Sequence, residues 1–250
     1  MSTLFVVSTP IGNLEDMTYR AVRVLQEADA LACEDTRHTR ILLDRYGIIP
    51  RGEIFSYHEH NEMAAAERII RLLQAGRSVA VCSNAGTPGV SDPGYRAVTL
   101  AIEAGFRVEV IPGPSAAITA LVTSGLPSSS FTFKGFPPRK SGPRRRFLEE
   151  ERNSRHTLIF YESPFRIGKF LEDALAVLGN RRVVVCMELT KKFERLHRGT
   201  LSEILPNFQG KAVKGEITVV IAGAAKGEMV EEEERFEMDE PASEDQILSQ

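Results

Sequence analysis

Three observations predict an α/β fold of two domains. Short β-branched runs alternate with segments of helical period through the first half of the chain. Glycines such as Gly47, Gly76 and Gly105 fall where helix C-terminal caps belong. Beyond Leu126 the texture changes, with fewer crossover helices. Strand–helix alternation of this kind implies a mostly parallel sheet with helices on both faces. The expected division is residues 1–120, residues 121–227 and a tail from 228 to 250, with the first boundary falling between 112 and 127.

In order, TLFVVS opens the chain as a strand and TYRAVRVLQEA follows as a helix; DALACE and TRILLDRYG repeat the pair. EIFSY precedes NEMAAAERIIRLLQAG, in which Ala66, Ile69, Ile70 and Leu73 recur at helical spacing. SVAVCS leads into YRAVTLAIEAG, and RVEVIP into SAAITALVTSG. The second half begins with FTFKGF and a basic segment. HTLIFYES, the helical FRIGKFLEDALAVLG and RRVVVCMEL come next, and TLSEILPNF and EITVVIAG close the series.

Composition narrows the function classes. The chain of 250 residues is 42% hydrophobic and 26% charged, ordinary for a soluble globular protein. No apolar run approaches the roughly 20 residues that cross a bilayer, and MSTLFVVSTPIG lacks the basic region of a signal peptide, so a cytoplasmic protein is expected. Cys33, Cys82 and Cys186 are scattered at the ends of apolar runs, as small core residues would be, with no disulfide or zinc spacing. Between Glu228 and Gln250 ten acids face one base, which puts −9 on a tail of disordered composition and leaves +6 on residues 1–227. That body is basic enough to approach a polyanion.

In an open α/β sheet, ligands bind beyond the carboxyl ends of the strands. The segments found there are TPIGNLED, EDTRHTR, HEHNE, SNAGTPGVSDPG and PGPSA, then YESPFR and ELTKKFE in the second half. They are rich in glycine, proline, hydroxyls and carboxylates. The Walker pattern, GxGxxG after a strand, the GxSxG elbow and HExxH are all absent, which argues against ordinary nucleotide binding, an α/β-hydrolase and a zinc protease, and no metal is expected.

Taken together, STPIGNL, AGTPGVSDPG, PGPSAA, YESPFR, ELTK and GEITVVI resemble the tetrapyrrole-methylase superfamily. TPIGNLED, CEDTRHTRILL, HEHNE, GFPPRK, FYESPFRI and ELTKKFE, in this order, resemble its ribosomal-RNA small-subunit methyltransferase I branch. The resemblance spans roughly residues 3–223. It implies two α/β domains of the tetrapyrrole-methylase type with S-adenosylmethionine (AdoMet) in the cleft between them. It further implies cofactor contacts at Pro10, Ile11, Gly86, Thr87, Val90, Ser115 and Ala116, joined by Tyr161, Leu189, Glu216 and Thr218. Glycine and proline suit such a ligand, because positive φ and fixed turns let backbone N–H and C=O groups come close. The chain departs from the family at Asn84, where aspartate is common. A second departure is the acidic C-terminus, where relatives continue into a small helical region.

The segment FKGFPPRKSGPRRRFLEEERNSR interleaves Phe133 and Phe136 with cations, including Arg139, Lys140, Arg144, Arg145 and Arg146. Such a loop suits an RNA backbone and unpaired bases, while an alternative is a solvated helix paired to Glu149–Glu151. Arg37 could hold a phosphate. The resemblance implies 2′-O-methylation of a cytidine in the decoding region of 16S ribosomal RNA by a homodimer. A corrin or porphyrin C-methyltransferase and a non-catalytic RNA-binding assembly protein stay open as alternatives. A ribose hydroxyl needs a proton acceptor; candidates are Glu34, Asp35, His58, Glu59 and Glu162. Asp35 could equally cap the helix that follows it.

Overall fold

The computed structural model describes residues 2–211 and 213–225; the acidic tail lies outside them. Strands β1 (Thr3–Val7), β2 (Ala30–Cys33), β3 (Glu53–Ser56), β4 (Val79–Cys82) and β5 (Arg107–Ile111) form a wholly parallel sheet in the order β3-β2-β4-β1-β5. Every residue of β2 and β4 is buried, because both sheet faces are covered and neither strand has a solvent side.

Helices α1 (Tyr19–Glu27) and α2 (Thr36–Arg45) cover one face, where Leu25, Leu42 and Leu43 pack on Val7, Leu31 and Ile111. Helices α3 (Glu62–Gln74) and α4 (Tyr95–Glu103) cover the other, with Ile69, Leu73 and Ala97 against Leu4, Phe55 and Val81. Thr18 caps α1 by accepting from Ala21 N at 3.1 Å, a contact worth about 1 kcal/mol.

The connections from β1 and β4 run to opposite faces although the two strands are neighbours. Their separation opens a crevice at the carboxyl edge. Across it the two loops are stitched by an antiparallel bridge between Thr9 and Gly86, with N···O distances of 2.9 and 3.0 Å.

The second sheet is mixed. Its strands β6 (Phe131–Phe133), β7 (Thr157–Glu162), β8 (Arg182–Met187), β9 (Arg195–Thr200) and β10 (Ile217–Ile221) lie in the order β6-β7-β10-β8-β9, and only β6 and β7 pair in parallel. Helix α5 (Ala116–Ser124), which runs across position 120, packs Ala117, Ala120 and Leu121 on one face. Helices α6 (Ser141–Glu149), α7 (Ile167–Leu178) and α8 (Leu201–Ile204) border the other face, where Phe160 and Phe170 pack at 5.2 Å between centroids.

Strand β9 was not expected. Its sequence, RLHRGT, carries no run of apolar residues because it is an edge strand, held by its ladder to β8. The cysteines are buried and free, with Cys33 and Cys82 opposite each other at 3.5 Å between sulfurs. Among the described residues, no helix is long and apolar enough to cross a membrane.

Candidate active site

Beyond the crevice, a cleft of about 470 Å³ lies between the loops of the first sheet and those of the second. This is the size of a small-molecule site. Of the residues expected to hold a cofactor, Ile11, Gly86, Thr87, Val90, Ser115, Ala116, Tyr161, Glu216 and Thr218 line it together. Pro10 and Leu189 do not line it: Pro10 is buried beside Ile11, and Leu189 packs behind it in the cluster of Ile11 and Ala117.

Local rules build this wall. Gly86 and Gly89 adopt φ of 76° and 85°, and Gly94 lies at 152°, where an added Cβ would fall 2.6 Å from Gly89 N. Ser91 also takes a positive φ, 61°. The AGTPGVSDPG loop therefore folds back on itself with no room for side chains at its neck. Ser8 Oγ and Thr87 Oγ1 lie 2.8 Å apart, tying the loop to the end of β1.

The site's charge is carried by carboxylates. Glu34, Asp92, Glu162 and Glu216 all line the cleft. Burial, reinforced by Glu34 and Glu216, pushes the Asp92 carboxyl up to about 7. Among the described residues no hydrogen-bond donor answers that carboxylate. Glu34 accepts from Asn84 N at 2.9 Å. Glu162 is 2% exposed, and burial raises its pKa although Arg166 pairs with Oε1 at 2.7 Å and Ser163 N donates to the same oxygen. Its Oε2 and the Oδ1 of Asn84 are buried without partners. Two orphaned acceptors and a cluster of carboxylates on one apolar-walled cleft ask for a ligand that donates hydrogen bonds and carries positive charge. AdoMet, with its adenine amine, ammonium and sulfonium, fits that demand.

Glu34 and Glu162 are thus the expected acid–base candidates that the structure brings into the cleft. Asp35 and His58 are not among its lining residues. Asp35 caps α2, accepting from Arg37 N at 2.9 Å, and its side chain pairs with Arg37 at 2.8 Å. That hydrogen-bonded pairing holds the Asp35 carboxyl well below the usual range. His58 opens a short 3₁₀ turn, its N–H donating to Asn61 Oδ1 at 2.8 Å, and Glu59 begins that turn.

The basic segment divides into paired and free cations. Arg144, expected among the cations that face RNA, is instead buried: it is 2% exposed, with NH2 2.6 Å from Asp173 and NH1 donating to Arg139 O at 3.0 Å. Arg145 Nε reaches the other Asp173 oxygen at 2.6 Å while the side chain stays half-exposed. Burial alone would raise Asp173, but the bonds from Arg145, Arg144 and Ser141 outweigh it and hold its pKa low. Lys134, outside the helix, is taken by Glu150 and Glu151 at 3.3 and 2.9 Å. Arg139, Lys140 and Arg146 are exposed and make no ion pair among the described residues.

Sequence reasoning missed Asp92 and Phe136 as lining residues. The signal for Asp92 was its isolation as the one charge in a loop of backbone. Phe136 leans on Tyr161 at 5.5 Å, so the basic segment reaches the cleft itself.

The profile of the Tetrapyrrole (Corrin/Porphyrin) Methylases matches residues 3–205. A "Ribosomal RNA small subunit methyltransferase I" of Halalkalibacterium halodurans is 50% identical over 93% of this chain and 79% of its own length. Among solved structures, the methyltransferase CobJ superposes with a TM-score of 0.69 at 19% identity, covering 90% of this chain and 95% of its own. Uroporphyrin-III C-methyltransferase from Thermus thermophilus, complexed with S-adenosyl homocysteine, gives 0.61 at 19% identity over 88% and 97%. With the match extending over most of the residues that build both sheets and the cleft, the chain belongs to the tetrapyrrole (corrin/porphyrin) methylase family.

Proposed function

We propose that this chain is an AdoMet-dependent methyltransferase of small-subunit ribosomal RNA, and that it methylates the 2′-hydroxyl of a cytidine in the decoding region of 16S RNA. The observation that carries the reading is the composition of one cleft, where the AGTPGVSDPG loop meets Phe136 of the basic segment. A pocket for a cationic small molecule thereby opens beside a surface for a polyanion. The 50% identical relative's name points to the same substrate, and a protein of the same fold is solved with S-adenosyl homocysteine.

AdoMet supplies an electrophilic methyl group on a sulfonium. The chain's residues do the rest. Backbone groups of the Gly86–Val90 turn and the first turn of α5 offer hydrogen bonds at close range. Glu34, Asp92 and Glu216 balance the ligand's positive charge. Alignment of nucleophile and methyl is worth up to about 7–11 kcal/mol in favourable cases. Glu162 accepts the ribose proton, a role that typically contributes ~10²–10⁴-fold; the support for it is that Arg166 and Ser163 hold one oxygen and leave the other unpartnered.

Arg139, Lys140, Arg145 and Arg146 then contact phosphates, and Arg37, 90% exposed at the side chain, extends that surface. The protein acts in the cytoplasm as a homodimer. Ile102, Val110, Ile118 and Val122, each exposed on α4, β5 or α5, are the apolar side chains a second copy would cover.

The test is methyl transfer from isotope-labelled AdoMet to unmodified small ribosomal subunits, read by nuclease digestion and nucleoside mass analysis. Label in 2′-O-methylcytidine is expected. Label appearing instead in a porphyrin precursor, with none in RNA, overturns the reading.

A further inference from the structure

Next to the cleft lies a second groove, of about 490 Å³, that the proposed reaction does not use. Its walls come from β8, β9 and the segment after α8, and include Phe193, Arg195, His197, Lys211 and Lys214. The partition between groove and cleft is one chain thickness. Gly215 lines both. Glu188 lines the groove and Glu216 the cleft, and the two are bonded back to back, Glu188 N to Glu216 O at 3.0 Å and Glu216 N to Glu188 Oε1 at 2.8 Å. Gly215, at φ 98°, permits that thinness, since a Cβ there would sit 2.6 Å from the Glu188 side chain.

The groove's chemistry differs from that of the cleft. Lys191 bridges Glu188 and Glu216 at 2.9 and 3.0 Å, so the groove's carboxylate is already ion-paired. Arg195, Lys211 and Lys214 are exposed and make no ion pair among the described residues. Phe193 is 66% exposed, a large apolar ring left in water beside these cations. Lys192 Nζ lies 5.7 Å from its ring centroid. His197 leans on Phe208 at 5.1 Å, and burial together with Arg195 lowers its pKa, so at neutral pH it adds an aromatic edge and no charge.

We infer that this groove binds a single-stranded RNA segment flanking the methylated nucleotide, with Arg195, Lys211 and Lys214 on phosphates and a base stacked on Phe193. The inference rests on the RNA reading above. Three things favour this occupant: free cations around an exposed ring, the combination that holds single strands; a carboxylate already ion-paired; and continuity with the cleft through Gly215. A strand that places one ribose in the cleft can continue over the partition.

The experiment compares the parent chain with Phe193→Ala and with the double variant Lys211→Ala/Lys214→Ala. An unmodified small-subunit RNA fragment is titrated against each at several salt concentrations, alongside methyl transfer and AdoMet calorimetry. Phe193→Ala is expected to weaken RNA binding about tenfold and to raise KM for RNA with kcat little changed. The double variant is expected to flatten the slope of log K against log salt by about 1.4, at ~0.7 per phosphate lost. AdoMet affinity and thermal midpoint stay at parent values in both. A parent that methylates RNA beside variants with parental KM and salt slope overturns the groove and leaves the function standing. A loss of self-association in Phe193→Ala, with RNA binding intact, also overturns it and assigns the groove to a second copy. A parent that transfers no methyl to RNA overturns the function, and the groove falls with it.

Discussion

Replacing Asp92 by asparagine should make the ligand-free protein more stable and a poorer binder of AdoMet. Burial and the neighbouring Glu34 and Glu216 lift this carboxyl from 3.8 to about 7. A carboxyl raised in the folded state keeps its proton while the unfolded chain gives it up. Stability is therefore greatest below the unfolded value, falls as pH climbs from 3.8 towards 7, and stays low above. A shift of this size, at 1.36 kcal/mol per pH unit, corresponds to about 4 kcal/mol. The carboxylate sits on a cleft that admits solvent, so half of that, ~2 kcal/mol, is the expected gain for Asp92→Asn at pH 8. At pH 4.5 little of the gain should remain. Urea denaturation of both proteins at the two pH values measures it, and calorimetry at pH 8 should find AdoMet bound at least tenfold more weakly by the variant, which has lost a charge facing a cation. A variant no more stable than the parent at pH 8, or equally stabilised at both pH values, would refute the account of a carboxylate held at a cost for its ligand.

Other substitutions test other parts. Asp173→Ala leaves Arg144 buried without its partner and should cost about 3–5 kcal/mol in urea denaturation, far more than a surface change in α7. Removing Arg139, Lys140 and Arg146 together should flatten the salt dependence of RNA binding by about 2 in log–log slope, at ~0.7 per contact, with AdoMet affinity unchanged. Gly94→Ala forces a Cβ to 2.6 Å from Gly89 N, and should weaken AdoMet binding more than tenfold while circular dichroism reports intact sheets.

The first sheet was legible because its strands are bounded by turns and its helices carry clean apolar periods, as Ala66, Ile69 and Leu73 illustrate. Most cleft loops were legible because they follow strands; Glu216, just ahead of β10, does not, and only the resemblance pointed to it. Strand β9 was not, since edge strands recruit their stability from the neighbouring ladder and RLHRGT bears no alternation to betray it. Arg144 and Arg145 look alike in sequence, yet one is buried against Asp173 and the other reaches water. That difference depends on Asp173, 29 and 28 positions away, which no local pattern announces. Asp92 was visible as a lone charge, but its elevated pKa arises from Glu34 and Glu216, which come from distant parts of the chain.

The open rims of both sheets have a consequence for how the protein meets copies of itself. Strand β3 presents Glu53 to Arg68 and Arg77, and β5 carries Arg107 and Glu109 paired at 2.8 Å. On the second sheet β9 bears Arg195 and Arg198, and β6 is three residues long. Charged or abbreviated rims do not template the addition of another strand. Misassembly by sheet extension is therefore discouraged even when the chain is newly made and crowded. Association is channelled to the helical flanks, so a mutation that replaced Arg107 with valine would be felt first as insolubility and only afterwards as lost activity.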